Sequence, residues 1–228
     1  MISIIVPCFN EQHIINDFVA EINKVIHKID NEFEIIIIDN NSTDDTWNCI
    51  KSANDKFSKF KFIKLSNYFG KEAAILAGID YATGDAAIIM DPDLEDPPEL
   101  IEKMIENWKN GSDVVLTQRT TEKISIAKKI LKSFFYKILI FSANRNEKIY
   151  SDSGDFRLID KKILVELKKM RERTRFLRGL VSYIGHNQSI IKFDRPYRKK
   201  GESKSSYSFL FKYALDSLFS FSNVPISL

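Results

Sequence analysis

Residues 86–99 of the chain read AAIIMDPDLEDPPE, an apolar run followed by a cluster of acids. The apolar run, Ala86–Met90, predicts a buried strand. Asp91, Asp93 and Glu95 then alternate, and in an extended chain residues two apart point the same way and lie roughly 6.5 Å apart. Three such carboxylates can converge on one hard divalent cation. The prolines that follow end the strand and suit the start of a helix.

A D-x-D pattern alone is more often an acidic, solvated turn than a metal site. Its position after a buried strand favours a ligand site here, because open α/β sheets bind ligands at the carboxyl ends of their strands. Asp96, the next acid in the chain, is expected to cap the helix predicted at Glu99–Trp108.

Strands and helices alternate through the first 120 residues. The predicted strands are Ile2–Val6, Phe33–Asp39, Lys61–Leu65, Ala86–Met90 and Asp113–Thr117. The predicted helices are Glu11–Lys28, a helix after Asp45 that ends near Asn54, Glu72–Ala82 and Glu99–Trp108. This order predicts an α/β fold, with a mainly parallel sheet and helices on both of its faces.

The second half of the chain has a different character. Residues 125–142 predict an amphipathic helix whose charges are all lysines, and residues 207–221 predict a second, aromatic helix. A cationic amphipathic helix suits an anionic membrane surface, although packing against the chain's own domain is an equal alternative. A short helix near Lys161–Lys169 and a basic loop at residues 195–204 lie between them.

Composition narrows the class of protein. The chain has 228 residues, 44% hydrophobic and 29% charged, which suffices for one globular catalytic domain. A formal net charge of +3 is too small to argue for a nucleic-acid partner. Cys8 and Cys49 give no disulfide framework, so a reducing compartment is expected. We expect no signal peptide, and no apolar run reaches the roughly 18 residues that span a bilayer.

Polar motifs follow the predicted strands. They are PCFNE at residues 7–11, DNNSTDDT at residues 39–46 and the acidic cluster after the fourth strand. Together they resemble family 2 glycosyltransferases, which have the Rossmann-like GT-A fold. A second set is similar, more narrowly, to the polyprenyl-phosphate glycosyltransferases, which include dolichol-phosphate mannose synthases and bactoprenol glucosyltransferases. That set comprises DSGDFRL at 152–158, RTRFLRGL at 173–180, and Arg198 with GESK at 201–204.

The resemblance implies a metal-dependent, inverting glycosyltransferase of cell envelope glycan biosynthesis. Its donor would be a nucleotide sugar, UDP-linked rather than GDP-linked, its acceptor polyprenyl phosphate and its cofactor Mg²⁺ or Mn²⁺. It would act at the cytoplasmic face of the membrane, and a homo-oligomer is compatible with the sequence. Relatives of the bacterial type usually carry transmembrane helices that would begin where this sequence stops. Two alternatives stay open: a family 2 enzyme with a soluble saccharide acceptor, and a nucleotide-sugar-binding protein without catalytic activity.

The same resemblance divides one catalytic domain into a nucleotide-sugar-binding half, residues 1–120, and an acceptor-binding half, residues 121–228. The predicted metal ligands are Asp91, Asp93 and Glu95, the last standing where many relatives carry Gln. The predicted nucleotide-sugar contacts are Pro7, Asn10, Glu11, Asp39, Lys71, Asp91, Arg178 and Lys204. A turn role is the alternative for Pro7 and Asn10, a helix cap for Asp39 and a solvated side chain for Lys71.

The remaining predictions concern catalysis and the acceptor. Asp155, with Asp93, is the predicted catalytic pair, and Asp155 matches the base proposed in relatives. A lipid monophosphate is already largely anionic near neutral pH, since its second pKa is about 6. Asp155 could therefore orient the acceptor instead of deprotonating it. The acceptor phosphate needs cationic side chains around it, and the planar guanidinium of arginine matches the geometry of a phosphate. The predicted contacts are Arg119, Arg157, Arg175 and Arg198.

Overall fold

The computed structural model describes residues 1–54, 60–120, 153–170, 177, 180–181, 184 and 187–194. The two predicted amphipathic helices and the basic loop lie outside these residues. So do four of the predicted site residues, Arg175, Arg178, Arg198 and Lys204. What the sequence predicts for these segments and side chains stays a prediction.

Within the described residues, seven strands form one sheet. They are β1 (Ile2–Cys8), β2 (Phe33–Asp39), β3 (Phe60–Lys64), β4 (Ala86–Ile89), β5 (Val114–Arg119), β6 (Ser153–Asp160) and β7 (Gln188–Phe193). Their order is β3-β2-β1-β4-β6-β5-β7. All neighbours are parallel except β6, which runs antiparallel to both β4 and β5. The predicted α/β fold with a mainly parallel sheet is confirmed.

Helices cover both faces of this sheet. They are α1 (Ile15–Ile26), α2 (Thr46–Asn54), α3 (Lys71–Tyr81), α4 (Leu100–Lys109) and α5 (Lys161–Lys169). One buried core lies under α1, α2 and α4, and the other lies under α3 and α5. No helix in the described part of the chain has the length and apolar character needed to cross a membrane.

The central run of β2, Ile35–Ile38, is apolar because the strand is buried on both faces. Successive side chains of a strand point to opposite faces. Ile35 and Ile37 therefore join one core, while Ile36 and Ile38 join the other. A strand that is buried on both faces reads as a continuous hydrophobic run, and the predicted bounds of β2 agree with the structure.

Strands β6 and β7 were not predicted from the sequence. Asp155 and Arg157 interrupt the apolar pattern of β6, yet this strand lies between β4 and β5 inside the sheet. Both strands come from the half of the chain assigned to the acceptor, so one sheet combines the two halves.

The register of β4 and β6 positions two acids. Ile89 of β4 lies opposite Arg157 of β6 in an antiparallel pair. Asp91, two residues further along one strand, and Asp155, two residues earlier in the other, therefore meet at the same edge. We call this edge, where β1, β2 and β4 end and β6 begins, the carboxyl edge.

Candidate active site

A lysine joins two carboxylates at the carboxyl edge. The ammonium of Lys71, the first residue of α3, donates to Asp91 Oδ2 and to Asp155 Oδ2, in each case over 2.7 Å. Burial on its own lowers the pKa of Lys71, but Asp155 and Asp91 outweigh it and raise that pKa well above its usual range. The lysine is therefore a fixed positive charge between the two acids.

Gly70 sets the position of this lysine. It precedes α3 with φ 88° and ψ 164°, a conformation that is essentially restricted to glycine. The turn brings Lys71 to the end of β4, although 20 residues separate it from Asp91 and 84 from Asp155. Proximity in the chain gives no sign of this contact.

The surroundings of Asp91 disfavour its charged form. Burial raises the pKa of Asp91, Lys71 opposes that rise, and Asp155 and Asp93 add to it. A raised carboxylate pKa at a sheet edge marks a candidate functional site.

Asp155 has a second cation at its other oxygen. Arg157 is buried, with only 1% of its surface exposed. Its Nη2 donates to the Gly154 carbonyl over 2.7 Å and lies 3.6 Å from Asp155 Oδ1. The predicted contact of Arg157 with an acceptor phosphate stays a prediction, but in this structure its guanidinium supports Asp155 from inside the domain.

Asp96 does not cap α4, so the sequence prediction was wrong. The N-cap of α4 is Glu99, whose side chain makes no capping hydrogen bond. Asp96 is instead buried, and its Oδ1 accepts from Arg119 Nη2 over 3.2 Å. Burial raises the pKa of Asp96 to about 6, although Arg119 opposes the rise. The local sequence predicted a helix cap, but Asp96 instead pairs with the charged Arg119 at the end of β5.

The same contact fixes Arg119, a predicted acceptor-phosphate ligand, at the carboxyl end of β5. Within the described residues its buried Nε finds no hydrogen-bond partner. A buried N–H donor without an acceptor is unfavourable unless a ligand or water supplies one. The contact of Arg119 with an acceptor phosphate stays a prediction.

The predicted metal ligands do not form a preformed cage. Asp93 Oδ1 accepts from the Glu95 backbone N–H over 3.0 Å, Glu95 is buried, and Leu94 between them has φ 55°. In the part of the chain that the structure describes, no three Asp, Glu, His or Cys side chains make a group that could hold a metal ion. The ligand roles of Asp93 and Glu95 stay predictions.

Two carboxylates do converge, and a cation lies between them. The Lys71 ammonium lies between Asp91, a predicted metal ligand, and Asp155. Carboxylate oxygens are the donors that Mg²⁺ prefers, and Mg²⁺ commonly takes only one or two of them together with substrate phosphates. The residues present therefore fit a sparse site that a bound diphosphate completes.

Asp39 lies fully buried at the end of β2, within the same edge. Its Oδ1 accepts from the Ser42 backbone N–H over 3.0 Å, which orders the turn before α2. Among the described residues no donor makes a hydrogen bond to Oδ2, and the nearest cation, Lys64 Nζ, is 4.0 Å away. Asp39 therefore takes the turn role with Oδ1, and its nucleotide contact stays a prediction.

Asn10 and Glu11 tie the loop after β1 to the loop after β2. Asn10, at φ 54°, accepts from the Thr43 backbone N–H over 2.9 Å, and the Glu11 N–H donates to Thr46 Oγ1 over 2.7 Å. Pro7 lies within β1 itself, opposite Ile38. These contacts favour the turn role for Asn10, and the nucleotide contacts of all three residues stay predictions.

This sheet, with acids at its carboxyl edge and helices on both faces, has the architecture of the GT-A fold. The chain belongs to glycosyl transferase family 2, whose sequence profile matches residues 3–168. It is 37% identical over 226 residues to an uncharacterised glycosyltransferase of Synechocystis, covering 99% of this chain and 70% of that protein. It is 34% identical to a prophage bactoprenol glucosyl transferase homolog of Escherichia coli K12, covering 99% and 73%. The chain is a glycosyltransferase.

Solved structures agree on the fold. Glucosyl-3-phosphoglycerate synthase from Mycobacterium tuberculosis, in complex with Mn²⁺ and UDP-glucose, matches with a TM-score of 0.63 at 14% identity, over 98% of this chain and 79% of that one. A mannosyltransferase from Pyrobaculum calidifontis, in complex with GDP-mannose and Mn²⁺, matches with a TM-score of 0.58 at 15% identity, over 87% and 58%. At such identities the match concerns the fold alone.

Proposed function

We propose that this glycosyltransferase moves a hexose from a UDP-sugar to polyprenyl phosphate, with inversion and with Mg²⁺ or Mn²⁺, at the cytoplasmic face of the membrane. The observation that carries the choice of acceptor is the position of Asp155 between two cations, Lys71 and Arg157. Bactoprenol glucosyl transferases at 33–34% identity, matched over 99% of this chain, support it.

The surroundings of Asp155 suit a phosphate acceptor better than a hydroxyl. A saccharide hydroxyl needs a base to take its proton as it attacks. Arg157 stays beside Asp155 Oδ1 even if Lys71 moves, so a proton taken by Asp155 would lie next to a buried guanidinium. A phosphate monoester is largely ionised near neutral pH, with a second pKa of about 6, and needs no base. Asp155 then orients the acceptor or the sugar.

The donor would lie along the carboxyl edge. The Asp39 Oδ2 atom, buried and without a hydrogen bond within the described residues, can accept from an N–H or hydroxyl group of the nucleoside. At the other end, Asp91 would hold the divalent cation, together with the predicted ligands Asp93 and Glu95. When bound, that cation supplies the positive charge that neutralises the leaving diphosphate.

The transfer step exchanges one bond for another. An oxygen of the acceptor phosphate bonds to the anomeric carbon while the bond from that carbon to the β-phosphate oxygen breaks, and the electron pair leaves with UDP. Attack opposite the leaving group inverts the anomeric configuration. Arg119, held by Asp96 at the end of β5, would bind the acceptor phosphate during this step.

The membrane part of the proposal depends on the two helices predicted at residues 125–142 and 207–221. Their apolar faces would place the acceptor phosphate at headgroup level, next to the carboxyl edge. Vesicles with and without anionic lipid test this at low salt: we expect binding to the anionic vesicles, and a chain that ignores them would contradict the membrane role.

A matrix of donors and acceptors tests the reaction. The purified chain is incubated with radiolabelled UDP- and GDP-sugars and either a short-chain polyprenyl phosphate or a panel of soluble saccharides. We expect label in the organic extract, with a UDP-hexose and a divalent cation. Label that stays in the aqueous phase on a saccharide would establish the soluble-acceptor alternative. Nucleotide-sugar binding without turnover on any acceptor would establish the non-catalytic one.

A further inference from the structure

Lys71 pairs both with Asp91, a predicted ligand of the divalent cation, and with Asp155. Its ammonium uses one oxygen of each carboxylate, 2.7 Å away in both cases. Two carboxylates this close repel each other, and Asp155 indeed contributes to the raised pKa of Asp91. The lysine thus supplies, from within the chain, the positive charge that these acids need when no ligand is bound.

A metal ion and the ammonium cannot share these oxygens. Both are cations, and their repulsion at contact distance in a half-buried site is large compared with thermal energy. Metal binding at Asp91 Oδ2 therefore requires the ammonium to leave that carboxylate. The lysine side chain is 40% exposed and has a flexible four-carbon stem, so it can move while the Gly70 turn keeps its backbone in place.

The displaced ammonium needs a new partner, and the diphosphate of the donor provides one. A compact ammonium binds phosphate oxygens well as a point charge. The same diphosphate supplies additional oxygen ligands to the cation, which the two acids alone do not. The donor would therefore favour both the departure of the lysine and the arrival of the metal.

We propose that Lys71 is an internal counter-ion that holds the site closed to divalent cations until a nucleoside diphosphate binds, so that donor and metal enter together. This inference rests on the proposed function and adds a role for Lys71 in coupling the two binding events. Such coupling is reciprocal, so the metal strengthens nucleotide binding by the factor by which the nucleotide strengthens metal binding.

Mn²⁺ binding, measured by the loss of free Mn²⁺ signal in electron paramagnetic resonance, tests the role without any acceptor or turnover. Wild type, Lys71→Met, Lys71→Gln and Lys71→Arg are titrated with and without UDP, and each variant is first checked for a cooperative unfolding transition. Lys24→Met is the matched control, because it removes one lysine from an exposed ion pair with Glu21 on α1.

Without UDP, we expect Lys71→Met and Lys71→Gln to bind Mn²⁺ at least tenfold more tightly than wild type. The factor by which UDP strengthens Mn²⁺ binding should fall at least tenfold in the same two variants. Lys71→Arg, which keeps the charge, and Lys24→Met should behave like wild type.

Equal or weaker Mn²⁺ binding by both neutral variants, with UDP-dependent binding intact in wild type, would overturn the inference, since Lys71 would then be a structural clamp. Glutamine keeps the hydrogen-bonding capacity without the charge, so it covers the case in which the methionine variant fails to fold. If wild type binds no Mn²⁺ even with UDP, the metal dependence in the proposed function is what fails.

Discussion

The two ends of the sheet differ in how buried charges are compensated. They are the carboxyl edge and the opposite end, where β1 and β2 begin, which we call the amino edge. At the amino edge, Glu34 of β2 is buried and accepts from Ser3 Oγ over 2.5 Å and from the Thr83 backbone N–H over 2.8 Å. Lys61 Nζ lies 2.6 Å from its other oxygen. Burial alone would raise the pKa of Glu34, but Lys61, Ser3 and Thr83 together lower it to about 2. This charge has every partner it needs within the fold.

At the carboxyl edge the balance is reversed. Burial raises the pKa of Asp91 and that of Asp96, and the cations beside them do not compensate fully. Asp39 holds a buried oxygen for which the described residues supply no hydrogen bond. The comparison teaches that the amino edge is complete as folded, whereas the carboxyl edge requires ligands to complete it, as expected of an active site.

Removing a charge at the carboxyl edge should abolish activity without unfolding the protein. For Asp91→Asn we expect the rate of transfer to fall by about 10³-fold or more. The divalent cation that neutralises the leaving diphosphate would lose a carboxylate ligand. The free energy of unfolding at pH 7 should stay level or rise, since the surroundings of Asp91 disfavour its charge. Steady-state rates and urea unfolding check the two expectations, with the exposed Asp30→Asn as control. Full turnover in Asp91→Asn would exclude a metal role for this residue.

The matching change at the amino edge should do the opposite. Glu34→Gln leaves Lys61 without its carboxylate, so we expect the free energy of unfolding to fall by about 2 to 3 kcal/mol. The rate per folded molecule should stay within about twofold, because Glu34 lies at the end of the sheet away from the acids. Urea unfolding and active-site titration measure both. A large loss of rate in a fully folded Glu34→Gln protein would break the comparison.

Some elements of this fold can be predicted from the sequence and others cannot. The apolar runs of β2 and β4 and the amphipathic pattern of α5 are set by burial on known faces, so their positions can be read locally. Strand β6 could not be read in this way. It pairs antiparallel inside a parallel sheet, and its motif places Asp155 and Arg157 where apolar residues are expected.

Within the site, the sequence identified the acids but not their partners. Asp91 follows from the acidic motif after a predicted strand, and Asp155 follows from the resemblance of residues 152–158 to polyprenyl-phosphate glycosyltransferases. The bridging position of Lys71 and the pairing of Asp96 with Arg119 depend on how separate elements meet, across 20 to 84 residues of chain. Residue type and spacing do not record such contacts.

Two glycines sharpen the comparison with smaller effects. A Cβ on Gly84, at the amino edge, would lie 2.7 Å from Ser3 Oγ and 2.8 Å from the Ala86 carbonyl oxygen. Gly84→Ala should therefore lower the free energy of unfolding by about 1 to 2 kcal/mol, with no change in UDP binding. Thermal unfolding and calorimetric titration with UDP check this, and a stable Gly84→Ala protein would contradict the tight packing of this edge.

At the carboxyl edge, a Cβ on Gly70 would meet nothing within 4 Å, but φ is +88° there. Gly70→Ala should cost about 1 kcal/mol of backbone strain. Because the turn positions Lys71, we expect a larger relative change in UDP-dependent Mn²⁺ binding than in stability. Unaltered Mn²⁺ and UDP binding in this variant would show that Gly70 does not determine the position of Lys71.

The last expected effect is on the pH dependence of stability. The pKa of Asp96 is raised to about 6, so between about pH 6 and its ordinary value near 4 the folded chain keeps a proton that the unfolded chain releases. Acidification through this window therefore stabilises the fold, whereas Glu34 loses its stabilising effect only as pH falls from about 4 toward 2. Subtracting the unfolding free energy of Asp96→Asn from that of wild type should give a difference that rises from pH 7 to pH 4. A constant or falling difference would contradict the assignment.

The most direct test of the central claim is the chemical identity of the product. Polyprenyl phosphate recovered after incubation with the enzyme, UDP-glucose and Mn²⁺ is examined by ³¹P NMR and mass spectrometry. The account predicts that the phosphate monoester signal gives way to a phosphodiester, with one hexose added and an anomeric configuration opposite to that of the donor. An unchanged monoester lipid, with UDP released by transfer of the sugar to water or to a soluble saccharide, would contradict it.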